Sequence, residues 1–313
     1  VWVAVVGYIH RTQQVLFGMD TMMNILLFYL MIGNSGAALS VDRLIARYRA
    51  ARASLARSGG LDAPARAFLA APPPSRGAGF ALRLIQVHFC IIYLAAGFAK
   101  LKGNAWWDGR AVWDVMVNPE FTLMQYEWYE RLLRAVATVK PLYHAAIAFG
   151  SWSTLFIEIA GPFLLWTRLR WLIMFLATAM HAAIAVLMGL NLFELLMIIM
   201  VLAFLPDRLI RDRLRGGPAL PRLRFAFDPG SAPGVRAAAL AVAADTDDQL
   251  ALSPEPGAPA VSDAQGVRTT GAGGVGVLFK SVRVLAPLAF LLWVPGVRGL
   301  LARYLFPAVP APA

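Results

Sequence analysis

The chain has 313 residues, 59% of them hydrophobic and only 15% charged, and a mean hydropathy of +0.61. An average soluble protein is about one quarter charged, so this one has too little polar side chain to cover a water-soluble globule and reads as a membrane protein. The net charge of +11 does not point to nucleic acid. Its basic residues are mostly arginines gathered between apolar spans, the pattern that sets membrane orientation.

In chain order, Val1–Ile9 read as the end of a membrane helix, in what is expected to be a fragment of a longer membrane protein. A polar break at His10–Gln14 precedes Val15–Ile32, apolar except for Asp20 and Asn24, which lie four apart and share a helix face. Asp20 is costly there unless it faces protein or water. Leu39–Asp42 leads into an arginine run (Arg43, Arg47, Arg49, Arg52, Arg57) that reads as a cytoplasmic loop ending at Pro72–Pro74.

The next span, Phe80–Leu101, is long enough to cross a bilayer. It holds Cys90, whose solitary state excludes an intramolecular disulfide and suits a small packing residue. The small residues Ala95, Ala96 and Gly97 let a helix or a ligand approach the backbone closely, and Lys100 ends the span. The segment Lys102–Pro141 balances five Lys or Arg against five Asp or Glu. Its Trp and Tyr content predicts interfacial helices outside the cytoplasm, with Trp106, Trp107 and Trp113 as boundary anchors. Leu142–Trp166 then carries His144 and Glu158, Trp171–Leu190 carries His181, and Leu192–Leu205 opens near Glu194. The connections Thr167–Arg170 and Asp207–Arg215 are basic.

Alternation along the chain puts the three basic segments on the cytoplasmic side and the neutral Lys102–Pro141 loop outside. The expected architecture is all-α, a polytopic transmembrane helical bundle of about six or more spans. Its domains are a transmembrane domain over 1–215, a low-complexity cytoplasmic segment over 216–276, and a C-terminal apolar helix and tail over 277–313. Arg298 and Arg303 then fall outside, against the charge rule, so this last element reads as re-entrant or flat.

Polar residues within spans are the candidates for chemistry, since a charge at helix centre costs about 2.5–3.5 kcal/mol on insertion scales. They are Asp20, His88, Lys100, Glu158, His181 and Glu194. Each has two open readings. Lys100 is a snorkelling lysine or a base; Glu158 neutralises a cation inside the bundle or takes part in catalysis; His88 and His181 bond to core carbonyls or act on a ligand. No His-x-x-His or carboxylate spacing supports a metal, and none is expected.

The blocks IIYLAAGFAKL (Ile91–Leu101) and WWDG (Trp106–Gly109) resemble the core of the vitamin K-dependent gamma-carboxylases. They are also similar to the bacterial relatives of those enzymes, the horizontally transferred transmembrane (HTTM) domain family. The likeness takes in LSVD (Leu39–Asp42), LFIEIAGPFLLW (Leu155–Trp166) and the helix from His181 to Phe193, and covers about Gly18 to Leu205. The pattern Tyr-x3-Gly-x2-Lys-Leu, followed by Trp and Gly, is its most specific part. The resemblance implies a lyase of the bacterial plasma membrane in which Lys100 deprotonates vitamin K hydroquinone, or another reduced quinone. O2 and CO2 are then consumed, and a glutamate-containing protein or a small molecule is acted on. It implies catalytic roles for Lys100, His181 and Glu158, quinone contacts from Tyr93, Ala96, Gly97 and Trp106, and membrane lipid as a partner. The chain departs from the family pattern in having Ala99-Lys100 where two lysines are common, and Met19-Asp20 where a histidine is expected. The other reading, of a different class, is a non-catalytic membrane module that binds a lipid or quinone or anchors a partner.

Overall fold

The structure, a computed structural model, describes every residue except 12–15, 39, 121–122, 124–125, 207–208, 210–222, 264, 283 and 308–313. The polar break at Thr12–Gln14, Leu39, Arg283 and most of the Asp207–Arg215 cluster therefore lie outside the described residues. The chain is mostly helical. It begins with α1 (Trp2–Arg11), α2 (Gly18–Ile32), α3 (Val41–Ser58), α4 (Ala63–Leu69) and α5 (Arg76–Lys100). Then come α6 (Asn104–Trp107), α7 (Ala111–Met116), α8 (Glu127–Thr138), α9 (Lys140–Ile159), α10 (Gly161–Leu164), α11 (Arg170–Met188) and α12 (Asn191–Val201). The last part holds β1 (Leu223–Phe227), α13 (Ala232–Ala244), β2 (Leu250–Pro254), β3 (Ala260–Ser262), β4 (Arg268–Thr269), α14 (Gly271–Ser281), a 3₁₀ helix (Ala286–Trp293) and α15 (Val297–Leu305).

Two compact units share this chain, and neither is continuous: Val1–Asn34 with Ser75–Leu205, and Ser35–Pro74 with Pro206–Ala313. The expected boundary near residue 215 is thus replaced by chain crossings after Asn34, Pro74 and Leu205.

The first unit is an apolar helical bundle. α5 and α11 are long and apolar enough to cross a membrane, and a third candidate runs from α2 across a break into the next helix. This gives two or three spans, where about six or more were expected. The cause is helix length for α2 and α12 and lower hydropathy for α9. α2 has 15 residues, α9 is polar at Lys140 and stops before Gly161-Pro162, and α12 runs only 11 residues before turning 3₁₀. Much of the apolar side chain nevertheless points outward: Phe149, Phe175 and Leu192 are each at least two-thirds exposed, a surface suited to lipid rather than water. Inside, Phe89, Tyr93, Ile173, Ala177, Met197 and Met200 form the core.

Glycines set the helix crossings. A Cβ on Gly33 would come within 2.8 Å of the Ala81 Cβ, and one on Gly97 within 2.7 Å of the Ile159 Cγ1, so these glycines let α5 close on α2 and α9. The segment over 102–141 folds as the short helices expected of it. Amphipathic α8 buries Tyr129 and Leu133, and the Ser151 hydroxyl on α9 donates to the Gly109 carbonyl at 2.5 Å.

The second unit departs most from expectation. The arginine run is not a loop but α3, capped by the Ser40 hydroxyl on the Arg43 N–H and ended by Gly59 at φ +66°. Residues 216–276, expected to be a low-complexity segment, disordered or weakly ordered, hold a four-stranded sheet of order β2-β1-β3-β4 over their described part. β1 runs parallel to β2, joined through α13, and antiparallel to β3. The composition misleads because the core uses alanine: Ala237, Ala238 and Ala239 are fully buried, against Phe225, Phe227 and Val261. Small side chains let α13 pack close without the aromatic and branched residues that normally signal a fold. Nor is 277–294 one continuous apolar helix. α14 ends at Ser281, with Val275, Leu278 and Phe279 in the same core, and the 3₁₀ helix follows a break.

The buried Arg47 holds this unit together. Its guanidinium donates to the carbonyls of Ala243 (2.8 Å), Val242 (3.2 Å), Asp245 (2.5 Å) and Leu69. It thereby satisfies the orphan carbonyls at the C-terminus of α13 and ties them to α3 and α4. Burial pushes this guanidinium below its ordinary value, but an arginine that starts so high stays charged. Arg47→Met is expected to destabilise the second unit by about 3 kcal/mol, because buried carbonyls lose their donor. Arg47→Lys recovers little, as an ammonium cannot span the same acceptors. Hydrogen exchange of the α13 amides in the intact protein measures both.

Candidate functional site

The site lies inside the first unit, where α5, α9, α11 and α12 each contribute a polar side chain. Tyr93 and Lys100 are seven apart on α5, two helical turns, and so project from one side of it. Glu158 sits one residue before the end of α9, at the close crossing that Gly97 permits. A Cβ on Gly97 would stand 3.3 Å from the Glu158 Cβ. His181 is on α11 and Glu194 in the first turn of α12. The reversal at Gly189, φ +73°, joins these two helices and turns them to face each other.

Two polar groupings result. In the first, the Lys100 ammonium donates to Glu158 Oε1 at 2.7 Å. The Glu158 side chain is 9% exposed and that of Lys100 26%, so the pair is dry at the acid and wetter at the amine. Lys100 Nζ also stands 5.4 Å from the Trp106 ring centroid, a cation–π distance. The second carboxylate oxygen, Glu158 Oε2, is buried without a hydrogen-bond partner, a costly state for a charged acceptor. In the second grouping the Tyr93 hydroxyl meets His181 Nε2 at 2.5 Å, and His181 Nδ1 meets Glu194 Oε2. Tyr93, His181 and Glu194 are all buried. Glu158 lies within electrostatic range of both Tyr93 and His181, so the two groupings form one charged neighbourhood.

The second grouping has two consistent proton arrangements. With neutral His181, Nδ1–H donates to the Glu194 carboxylate and Nε2 accepts the Tyr93 hydroxyl. With one more proton, Nε2–H donates to the tyrosine oxygen and frees the hydroxyl to donate onward. The added proton can equally sit on Glu194, which then donates to Nδ1 of a neutral imidazole, so the count and not the position distinguishes the two states. A relay that holds either count of protons with little movement is suited to handing a proton across the bundle.

Of the residues expected from sequence, Lys100, Glu158, His181 and Tyr93 come together here. Glu158 does neutralise a cation inside the bundle, and His181 bonds a tyrosine and an acid rather than a backbone carbonyl. Gly97 lies at the site, but its open face is filled by Ile159 and Glu158, so it serves helix packing rather than a groove for a flat ring. Ala96 and Trp106 are half-buried beside it. Asp20 lies elsewhere. It is in the first turn of α2, and its carboxylate accepts the Phe17 N–H at 2.8 Å. His88 pairs with the Tyr29 hydroxyl at 3.2 Å. Glu194, a candidate left out of the expected catalytic set, is the most buried acid. Its signal was an acid just inside an apolar helix, one short turn after a helix carrying a histidine. Among the described residues no group of three or more His, Cys, Asp or Glu could hold a metal ion. Comparison of the chain with family models, with curated proteins and with solved structures returns no match.

Removing one partner of the Lys100–Glu158 pair strands the other. Glu158→Leu alone is expected to cost about 2–3 kcal/mol, the low end for a buried pair because the amine is partly wet. Lys100→Met combined with Glu158→Leu is expected to be close to neutral, and thermal unfolding of the two variants and the wild type in detergent distinguishes them. Gly97→Ala should cost about 1–3 kcal/mol through overpacking. Adding Ile159→Ala, which removes the atom that the new methyl meets, should restore part of that in the same assay.

Proposed function

We propose that the chain is a membrane-embedded proton-transfer enzyme acting on the hydroxyl of a lipid-borne, weakly acidic small molecule. A reduced quinone such as vitamin K hydroquinone is the substrate favoured by the resemblance to the gamma-carboxylases and the HTTM family. The observation that supports it best is the burial of an unpartnered carboxylate oxygen, Glu158 Oε2, directly beside the Lys100 ammonium. A hydroxyl donating to Oε2 would satisfy that oxygen. Transfer of its proton would leave neutral Glu158 and an oxyanion next to Lys100, so one ion pair replaces another with no net charge created. Lys100 and Glu158 then act as a unit, and the expected role of Lys100 as base is shared with its partner. Neutral Glu158 would regain its charge by passing the proton, through a bridging water, to the Tyr93–His181–Glu194 grouping, whose proton count would rise by one. The polar end of the site fits a hydroquinone hydroxyl. The ring would have to lie against Ala96 and Trp106, since the Gly97 face is filled.

This reading places α2, α5, α9, α11 and α12 in the bilayer of a bacterial plasma membrane, with arginine-rich α3 cytoplasmic and Lys102–Pro141 outside. O2, CO2, and the glutamate-containing protein or small molecule acted upon belong to it through the resemblance alone. The second reading, a non-catalytic module, is favoured by one feature: Gly97, Ile159, Lys100 and Glu158 together make a clasp between α5 and α9.

The test is to supply vitamin K hydroquinone and O2 to the reconstituted protein and follow the epoxide by mass spectrometry. Product is expected, falling on the order of 10²-fold or more in Glu158→Gln and Lys100→Met, and less in Tyr93→Phe. Absence of any product from the wild type, with the quinone still bound, would favour the module.

A further inference from the structure

We propose that the C-terminal part of the second unit, Ala286–Tyr304, is a docking surface for an anionic lipid bilayer, lying in the headgroup region without crossing it. The argument starts from helix period. A 3₁₀ helix has three residues per turn, so Ala286–Trp293 and the adjoining Val294 present three ridges. One ridge, Ala289 and Leu292, packs on the core of the second unit. The other two, Phe290 with Trp293 and Leu288 with Leu291 and Val294, are exposed and wholly apolar. Trp293 is 89% exposed and Phe290 63%. The following helix, α15, repeats the division: Leu301, Ala302 and Leu305 face the core, while Leu300 and Tyr304 are exposed. Most of what a folded domain hides is hidden here already, so the outer ridges are surplus to its own core and call for an apolar environment outside it.

Charge selects the occupant. No Asp or Glu follows Asp263, whereas Arg268, Lys280, Arg283, Arg298 and Arg303 do. Arg298 and Arg303 are exposed in the stretch that carries the apolar ridges, and Lys280 is exposed on α14 before it; Arg298 Nε also donates to the Ala272 carbonyl at 2.7 Å. Trp, Phe, Leu and Tyr beside exposed basic residues, in a stretch of sequence without an acid, is the make-up of a surface lying in the interface of an anionic membrane. A second protein surface would have to be acidic and apolar at once. A bilayer is also at hand, because the chain crosses between this unit and the one bearing the membrane-crossing helices after Asn34, Pro74 and Leu205. Flat docking also removes the conflict that a span over 277–294 creates, since Arg298 and Arg303 need not be carried to the outer side.

The experiment uses the full chain with its only cysteine removed (Cys90→Ala) and Trp293→Cys carrying an environment-sensitive fluorophore. It is reconstituted in phosphatidylcholine vesicles with or without added phosphatidylglycerol. The label is expected to be several-fold less open to aqueous iodide in the anionic vesicles, and to be quenched there by nitroxides near the headgroups. Raised salt, or Arg298→Glu with Arg303→Glu, should reverse both effects. Equal iodide access in both lipids would overturn the proposal. So would quenching by nitroxides at the acyl-chain centre, which would make the segment a span, or shielding from iodide without nitroxide quenching, which would mean that protein covers it.

Discussion

A polar group buried in this protein has no water to fall back on, and so must find its partner inside the fold. In the helical unit that requirement joins Lys100 to Glu158 and threads Tyr93, His181 and Glu194 into one chain of contacts. In the second unit it turns Arg47 inward onto carbonyls at the end of α13. Among the described residues Glu158 Oε2 is an exception, as are Asn24 Oδ1 and Trp2 Nε1 in the same unit, and Glu158 differs from those two in having its other oxygen paired with a cation. An unsatisfied acceptor beside a satisfied one is what separates a candidate site from a merely structural ion pair.

Close helix approach is the condition for all of this. Gly97 brings α5 against α9 at the level of Glu158, so the ion pair depends on a missing side chain as much as on the two charges. The same contact argues against a roomy groove at that point. Ala96 and Trp106 nearby are only half-buried.

The two units solve burial by different means. The first leaves large apolar side chains facing outward and reserves its interior for mixed apolar and polar contacts. The second hides an alanine-rich core behind helices and a short mixed sheet, and leaves one apolar strip, Leu288–Val294, uncovered among arginines. Each thus presents an apolar exterior, the first over a helical bundle and the second over a single edge.

Composition and hydropathy alone marked the chain as too apolar for an ordinary water-soluble globule, in keeping with the two or three helices long and apolar enough to cross a membrane, because their signal is summed over hundreds of residues and does not depend on who touches whom. Intramembrane charges announced Lys100, Glu158, His181 and Glu194 as costly, and the cost is local. Which charge meets which was decided by tertiary structure. Glu194 joins His181 only because Gly189 reverses the chain, and Asp20 turned out to cap a helix because α2 starts two residues before it. The sheet over 223–269 escaped the sequence, since alanine and glycine carry weak hydrophobic periodicity yet pack tightly once neighbouring strands supply Phe225, Phe227 and Val261. The apolar run after residue 277 misled in the opposite direction. Hydropathy records that such a segment avoids water, but only the fold fixes whether core or lipid receives it.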